Sequence, residues 1–248
     1  MTTITPRSIT CPLCATTFDG HSVLASRDRG PLTSDLRRIP EGEDPLPKML
    51  NACPGCGLTG DVSRFEEHAP KADKVVPGKD TGAFFSQDDH DDAHDPLLAD
   101  RPKDVESTIT EQLKLLGDRI GVADPALRWE NASQVERWLG HGPLKEGDAM
   151  LRAAWLHEDA GRDADGRRCR RRALGCYRQG ITEKRWFGRR EDLVIVGYLC
   201  GEMHRRLGDT ELGKQWFEQA IAWSSGLQKL QELVELAERQ MLHPADLV

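Results

Sequence analysis

The chain has 248 residues, of which 38% are hydrophobic and 30% charged, and its formal net charge is −7. This is the composition of a soluble protein with one large or two small domains, and the acidic balance gives no general attraction to nucleic acid or an anionic membrane. The longest apolar run, residues 193–200, is far shorter than the roughly 20 residues of a membrane helix. The first ten residues lack the apolar segment of a signal peptide, so we expect a cytoplasmic protein.

Two Cys-Pro-x-Cys pairs dominate the first 66 residues: Cys11 with Cys14, and Cys53 with Cys56. In a chain with seven cysteines and no export signal, this pattern favours metal-bound thiolates over disulfides. Four thiolates are typical of tetrahedral Zn²⁺, and a filled ligand set leaves no position for catalytic water. A rubredoxin-like iron site uses similar turns, but no redox signal accompanies them. We therefore predict a small β zinc-ribbon head over residues 1–66, with a structural Zn²⁺ ion.

In such a turn, the residue after the second cysteine often has positive φ, which glycine adopts without strain. Gly57 meets this requirement and Ala15 does not, so the first turn is predicted to be strained or differently shaped. The 38-residue spacer between the pairs must contain its own ribbon or loop, and "HSVL" and "PKML" (residues 21–24 and 47–50) resemble short strands.

Gly55, Gly57 and Gly60 also spell G-x-G-x-x-G, the phosphate-binding pattern of dinucleotide-binding folds. That pattern requires a crossover helix after the last glycine, whereas Pro70 and Pro77 interrupt the residues that follow here. We therefore interpret these glycines as part of the metal-binding turn.

Residues 67–103 are polar and acidic and are predicted to be a partly disordered linker or insertion. Within them, His90 and His94 are four residues apart among carboxylates, a spacing that could bind a second metal ion on a helix. Pro96 disfavours a stable helix there, so a solvated acidic loop is the preferred interpretation. A metal-dependent hydrolase using His90 and His94 stays as a weaker alternative.

From residue 104 onward the periodicity is helical, and Asp104 is a plausible N-cap for a helix with apolar residues from Val105 to Ile120. Residues 173–181 and 213–221 repeat in register, 40 positions apart. The helices before them match 47 positions apart, so the first unit has seven more residues, expected between its two helices. The pattern is tetratricopeptide-like, with an ordinary helical bundle as the alternative, and a final helix within residues 226–242 could cap the stack.

Arginines are concentrated near residues 167–190, where they could contact phosphates. A solvated helix face paired to acidic segments of the same chain is the preferred explanation. The other cysteines of this half, and the histidines at the aromatic positions of the repeat, are predicted to be packing residues. These are Cys169, Cys176, Cys200, His157 and His204.

The sequence resembles a bacterial family catalogued as domain of unknown function 2225. The similarity lies in "CPLC", "SDLRR", "DPLPKMLNACPGCG", "LRAAWLHEDAGR" and "YLCGEMHRRLGDTELGKQWFEQAI". The resemblance implies a zinc-ribbon-like head, with Cys11, Cys14, Cys53 and Cys56 at the family's cysteine positions, followed by tetratricopeptide-like helices. It implies no activity, and Ala15 departs from a usual glycine.

We therefore expect a mainly α protein with a small β zinc-ribbon, a linker over residues 67–103 and a helical-repeat domain over residues 104–248. The expected function is that of a non-enzymatic adaptor that binds a protein or peptide partner and does not bind membranes. A nucleic-acid-associated regulator is the second hypothesis. The residues expected to favour an acidic peptide are Arg185, Arg189, Arg190, Arg205 and Arg206.

Overall fold

The computed structural model describes residues 2–25, 30–67, 124–184 and 187–247. Within these residues the protein is mainly α-helical, with six α-helices in the C-terminal half and short antiparallel strands in the N-terminal head. The predicted linker beyond residue 67, its two histidines His90 and His94, the helix predicted after Asp104 and the side chain of Arg185 lie outside the described residues. The domain boundaries stay a prediction.

The head is built on a long hairpin of β1 (Thr3–Thr10) and β2 (Thr17–Ala25), which pair antiparallel so that Thr10 lies opposite Thr17. A second, very short hairpin joins β3 (Asn51–Ala52) to β4 (Thr59–Gly60). Strand β5 (Glu66–Glu67) adds to the free edge of β1, giving the sheet order β2-β1-β5. Each of the two hairpins is closed by one Cys-Pro-x-Cys turn.

The predicted strand at residues 47–50 is wrong, because a 3-10 helix occupies Leu46–Lys48. Pro47 lacks the amide hydrogen that a strand ladder needs, and its ring favours a helical φ. The Asp44 carboxylate accepts a hydrogen bond of 2.9 Å from the Leu46 amide and so fixes the start of the turn. This turn places Leu46 and Leu50 in the hydrophobic core.

The first of the described helices begins where Asp124 accepts hydrogen bonds from the amides of Ala126 and Leu127. A 3-10 turn, Gln228–Leu230, precedes the last helix. The helices are α1 (Pro125–Trp138), α2 (Pro143–Asp159), α3 (Asp163–Glu183), α4 (Arg190–Arg206), α5 (Thr210–Trp223) and α6 (Gln231–Leu242).

The predicted repeat corresponds to two helical hairpins, α2 with α3 and α4 with α5. Gly161 and Gly208, which occupy equivalent positions, make the two turns with φ of 69° and 95°. In the second hairpin, a Cβ on Gly213 would lie 3.0 Å from the carbonyl oxygen of Gly201, so the two backbones are almost in contact. Small residues at these positions therefore set the helix spacing, as the repeat pattern predicts.

The seven extra residues of the first unit do not lie in a loop between the helices, as expected, but inside α3. Helix α3 has 21 residues and its counterpart α5 has 14. Seven residues make two helical turns to within about 20°. The insertion therefore lengthens α3 at its start without rotating its buried face away from α2.

Two hydrophobic clusters join the head to the helices. Leu36, Leu46 and Leu50 share a core with residues from all six of the described helices. Three of the four cysteines of the head form a second cluster with Val135 and Leu139, at the end of α1. No helix among the described residues is long and apolar enough to cross a membrane.

Candidate metal centre

The two cysteine turns have the same backbone geometry. The Ala15 amide donates to the Cys11 carbonyl at 2.9 Å, and the Gly57 amide donates to the Cys53 carbonyl at 2.8 Å. Ala15 has a φ of 56° and Gly57 a φ of 80°. The first turn is therefore not differently shaped. Ala15 instead adopts the left-handed region, which costs an L-residue roughly 1–2 kcal/mol.

These turns bring all four predicted ligands, Cys11, Cys14, Cys53 and Cys56, within 4.8 Å of one another. The Sγ atoms of Cys11 and Cys56 are 3.5 Å apart, as are those of Cys14 and Cys53. Tetrahedral Zn²⁺ with Zn–S bonds of about 2.3 Å separates its sulfurs by about 3.8 Å. The cluster is therefore a possible metal site, and its size and donor set fit a tetrahedral thiophilic ion.

The four sulfurs share protons with one another when they are not bound to an ion. A hydrogen bond from Cys56, with help from the amides of Leu13 and Cys14, lowers the pKa of Cys11 to about 5 despite its burial. Burial raises the pKa of Cys53 to about 11. Four thiolates this close repel one another, so full deprotonation requires a bound cation.

Helix α1 fixes the second cysteine turn from outside. The Asn131 amide group donates to the Gly57 carbonyl at 2.5 Å and contacts the Thr59 hydroxyl at 2.6 Å. Further along α1, Glu136 accepts from Arg64 at 2.7 Å. Burial opposes ionisation of Glu136, but His141 and Arg64 outweigh it and lower its pKa to about 2. The cysteine cluster is thus held against the helices by polar as well as apolar contacts.

A loop of the head, residues 32–38, packs against the helical hairpins through its buried centre, residues 34–36; we call it the docking loop. Its Asp35 carboxylate accepts from Arg170 of α3 at 2.6 Å and from the Trp155 indole of α2 at 2.7 Å. The Tyr198 hydroxyl of α4 donates to the Ser34 carbonyl at 2.6 Å. Asp35 and Arg170 are both almost completely buried. The docking loop therefore ties the head to both helical hairpins.

The five arginines predicted to contact a partner have different environments. Arg205 and Arg206 both contact Glu202 at 2.7 Å and are only 15% and 17% exposed. They belong to the internal network around the docking loop, so partner binding by these two residues has little support. Arg189 and Arg190 are exposed at the start of α4. The partner-binding role of all five stays a prediction.

Several members of the arginine cluster are paired within the chain, as the preferred explanation predicts. Arg168 contacts Glu130, Arg170 contacts Glu158 as well as Asp35, and Arg172 contacts Glu146. The predicted packing residues are buried: Cys169, Cys176, Cys200, His157 and His204.

Sequence reasoning missed two groups of residues. The buried role of Asp35 was not predicted, although "SDLRR" carried part of the family resemblance. The convergence of Glu130 with His157 and Cys169 was also not predicted. The burial of Arg170 could have been predicted from the helical period. It lies three, four and seven residues before the buried Ala173, Leu174 and Tyr177, on the inner stripe of α3.

The fold and the site together define a helical-repeat protein whose head holds a four-cysteine cluster. Residues 131–242 match the model of a family described as an uncharacterized protein conserved in bacteria, DUF2225. The match begins within α1 and ends with α6, and over these residues the chain is similar to the DUF2225 family. The four cysteines precede the matched residues. No curated protein and no solved structure matches the chain.

Proposed function

We propose that this protein is a bacterial adaptor in which a structural Zn²⁺ ion orders the head and the helical hairpins bind a protein or peptide partner. The observation that carries the proposal is the closed set of four sulfurs from Cys11, Cys14, Cys53 and Cys56. Four thiolates saturate a tetrahedral zinc ion and leave no position for a reacting water, which favours a structural ion.

The attachment of the head supports a structural role for the ion. Asn131 and the docking loop fasten the head to α1 and to both helical hairpins. The described residues of the head, 2–25 and 30–67, contain few large buried side chains, so burial alone would stabilise this region weakly. Structural zinc contributes roughly 10–16 kcal/mol of apparent binding free energy in small zinc domains, which is sufficient to order such a region.

Stacked helical hairpins offer extended surfaces to peptides, and here the docking loop already covers part of α2, α3 and α4. The partner must therefore use other parts of the helical surface. Arg189 already contacts Asp192 at 3.3 Å. The exposed Arg190 at the start of α4 is therefore the residue that we assign to this role, and it would favour an acidic segment.

Metal analysis of the purified full-length chain tests the zinc part of the proposal. The native protein should contain zinc, and Cys53→Ser should lose the ion of the head. Circular dichroism of this variant should retain most of the helical signal, because only the head depends directly on the ion. A native protein without zinc, or a Cys53→Ser variant with an unchanged zinc content, would reject the structural ion.

Comparative affinity capture from the native bacterium tests the adaptor role. A partner should be recovered with the native chain and lost with Arg190→Glu. Arg171→Glu is the matched control, since Arg171 is also exposed but lies on α3. Equal recovery with both variants would reject the surface at the start of α4. Recovery of nucleic acid, lost as salt is raised, would instead favour the regulator hypothesis.

A further inference from the structure

A second group of metal-binding side chains lies inside the helical half, well separated in sequence from the cysteines of the head. Glu130 of α1, His157 of α2 and Cys169 of α3 place a carboxylate oxygen, a ring nitrogen and a sulfur within 4.8 Å of one another. The His157 Nε2 atom is 2.7 Å from a Glu130 oxygen. Both His157 and Cys169 are almost fully buried.

The insertion in α3 creates this group. Cys169 lies in the two additional turns at the start of α3, and His157 lies in the last turn of α2, four residues before Gly161. Helix α1 packs against α2 and supplies Glu130 from the other side. The three donors therefore come from three packed helices, which gives the group a rigid frame.

We propose that Glu130, His157 and Cys169 form a second metal site, for a thiophilic divalent cation such as Zn²⁺. Zinc binds imidazole nitrogen, carboxylate oxygen and thiolate sulfur at about 2.0–2.3 Å, which places tetrahedral ligands roughly 3.3–3.8 Å apart. The His157–Glu130 contact of 2.7 Å is shorter than this range and has to open slightly around an ion. Three protein ligands leave a fourth position for water or an external ligand, unlike the closed set in the head.

Arg168 determines how a cation would enter. Its guanidinium contacts both oxygens of Glu130 at 2.7 Å, so it supplies the positive charge that a metal ion would bring. The Arg168 side chain is about half exposed and already lies 3.1 Å from Asp165. It can therefore leave Glu130 towards solvent and retain an acidic partner, exchanging one cation for another at the carboxylate.

The same helices provide an internal comparison. Glu146 and Cys176 also bring a carboxylate beside a buried thiol, and Arg137 and Arg172 pair with that carboxylate. Within the described residues of the helical half, three metal-binding side chains come together at Cys169, where His157 is the third donor, and not at Cys176. Cys176→Ser is therefore a control matched in burial and charge.

The test is the zinc content of the full-length chain after equilibration with Zn²⁺ and removal of loosely bound ion. The native chain and Cys176→Ser should each hold two ions, whereas Cys169→Ser and Glu130→Gln should each hold one. Cobalt substitution should add a single-thiolate absorption band that disappears in Cys169→Ser. Loss of the ion in Cys53→Ser but not in Cys169→Ser, with one ion in the native chain, would overturn the second site and leave the first intact.

Arg168→Ala provides a second measurement that does not disturb a buried residue. Removing the competing guanidinium should raise the affinity of the second site for Zn²⁺ by about tenfold, as measured by competition with a chelator. Unchanged or weaker binding in Arg168→Ala would overturn the exchange of cations at Glu130. One ion lost in Cys169→Ser and retained in Cys53→Ser would support the second site while rejecting zinc in the head.

Discussion

The guanidinium of Arg170 lies 2.6 Å from the carboxylate of Asp35, 135 positions earlier in the chain, and both side chains are almost fully buried. Arg170 also contacts both oxygens of Glu158 at 2.7 Å. Burial of Asp35 opposes its ionisation, but Arg170 and Arg206 outweigh that cost and lower its pKa to about 2. The buried ion pair therefore connects the head to α3 as a charged pair at neutral pH.

Replacing one member of this pair should be strongly destabilising. Arg170→Met leaves the Asp35 carboxylate buried with weaker compensation, and we expect a loss of about 3 kcal/mol in the free energy of unfolding. Urea unfolding of the full chain measures it. Arg171→Met is the control, because Arg171 is exposed on the same helix, and its effect should stay within about 0.5 kcal/mol. Equal effects of the two substitutions would contradict the assigned role.

The double variant Asp35→Asn with Arg170→Met tests the pairing itself. Once the carboxylate is removed, Arg170 has less to stabilise, so the two losses should not add. We expect a coupling free energy of about 1 kcal/mol or more between the two sites. Additive losses would show that the two residues act independently.

The ion pair also predicts that the free energy of unfolding depends on pH. The pKa of Asp35 is depressed from 3.8 to about 2, so its contribution is complete above pH 3.8 and is lost as pH falls towards 2. The shift corresponds to about 2 kcal/mol. The free energy of unfolding should be measured between pH 5 and pH 2.5 for both the native protein and Asp35→Asn. Loss of zinc and titration of Glu136 affect both proteins, so these effects cancel in the difference between the two curves. Parallel curves would contradict the prediction.

The two cysteine turns predict that Ala15→Gly stabilises the protein and that Gly57→Ala destabilises it. Ala15→Gly removes left-handed strain of roughly 1–2 kcal/mol but adds freedom to the unfolded chain, so we expect a net gain of about 0.5–1 kcal/mol. Gly57→Ala introduces the same strain and should cost about 1 kcal/mol. Zinc competition and thermal unfolding measure both. Destabilisation by both substitutions would contradict the equivalence of the turns.

The contact between the backbones of α4 and α5 predicts that Gly213→Ala is destabilising. The new Cβ would lie 3.0 Å from the Gly201 carbonyl, and a backbone atom cannot move aside as a flexible side chain can. We expect a net loss of about 1–2 kcal/mol, since overpacking outweighs the better helix propensity of alanine.

Gly175→Ala is the matched control for that substitution. Gly175 lies inside α3, where a Cβ would meet nothing within 4 Å. The helix propensity of alanine should then act alone and stabilise the protein by about 0.5–1 kcal/mol. Thermal unfolding of both variants measures the contrast, and equal shifts would contradict the close approach of α4 to α5.

Local patterns predicted much of this structure. The cysteine spacing indicated the four-sulfur cluster, and the small and aromatic residues of the repeat indicated the two hairpins. The positive φ required after the second cysteine identified Ala15 as a strained position. Each of these features depends on residues close in sequence or on a periodicity, which is the information that a single sequence carries most directly.

Contacts between segments that are distant in sequence could not be predicted from local patterns. Nothing near Asp35 indicates that its carboxylate faces Arg170, because burial of a charged pair depends on how the head meets the helices. The position of the seven additional residues was also mispredicted. An insertion between two helices reads as a loop unless its helical phase is considered, and residues 163–169 contain a glycine and two aspartates that suggest a turn.

The length of that insertion has an evolutionary consequence. Because seven residues nearly complete two turns, α3 could lengthen while its contacts with α2 and α4 kept their register. The added turns carry Arg168, Cys169 and, beside them, Arg170, the side chains that reach α1 and the head. A repeat can thus gain new attachments at one end while its stacking surface is preserved. Insertions of three or four residues at the same place would rotate the stripe by up to about 60° and turn its buried side chains away from α2.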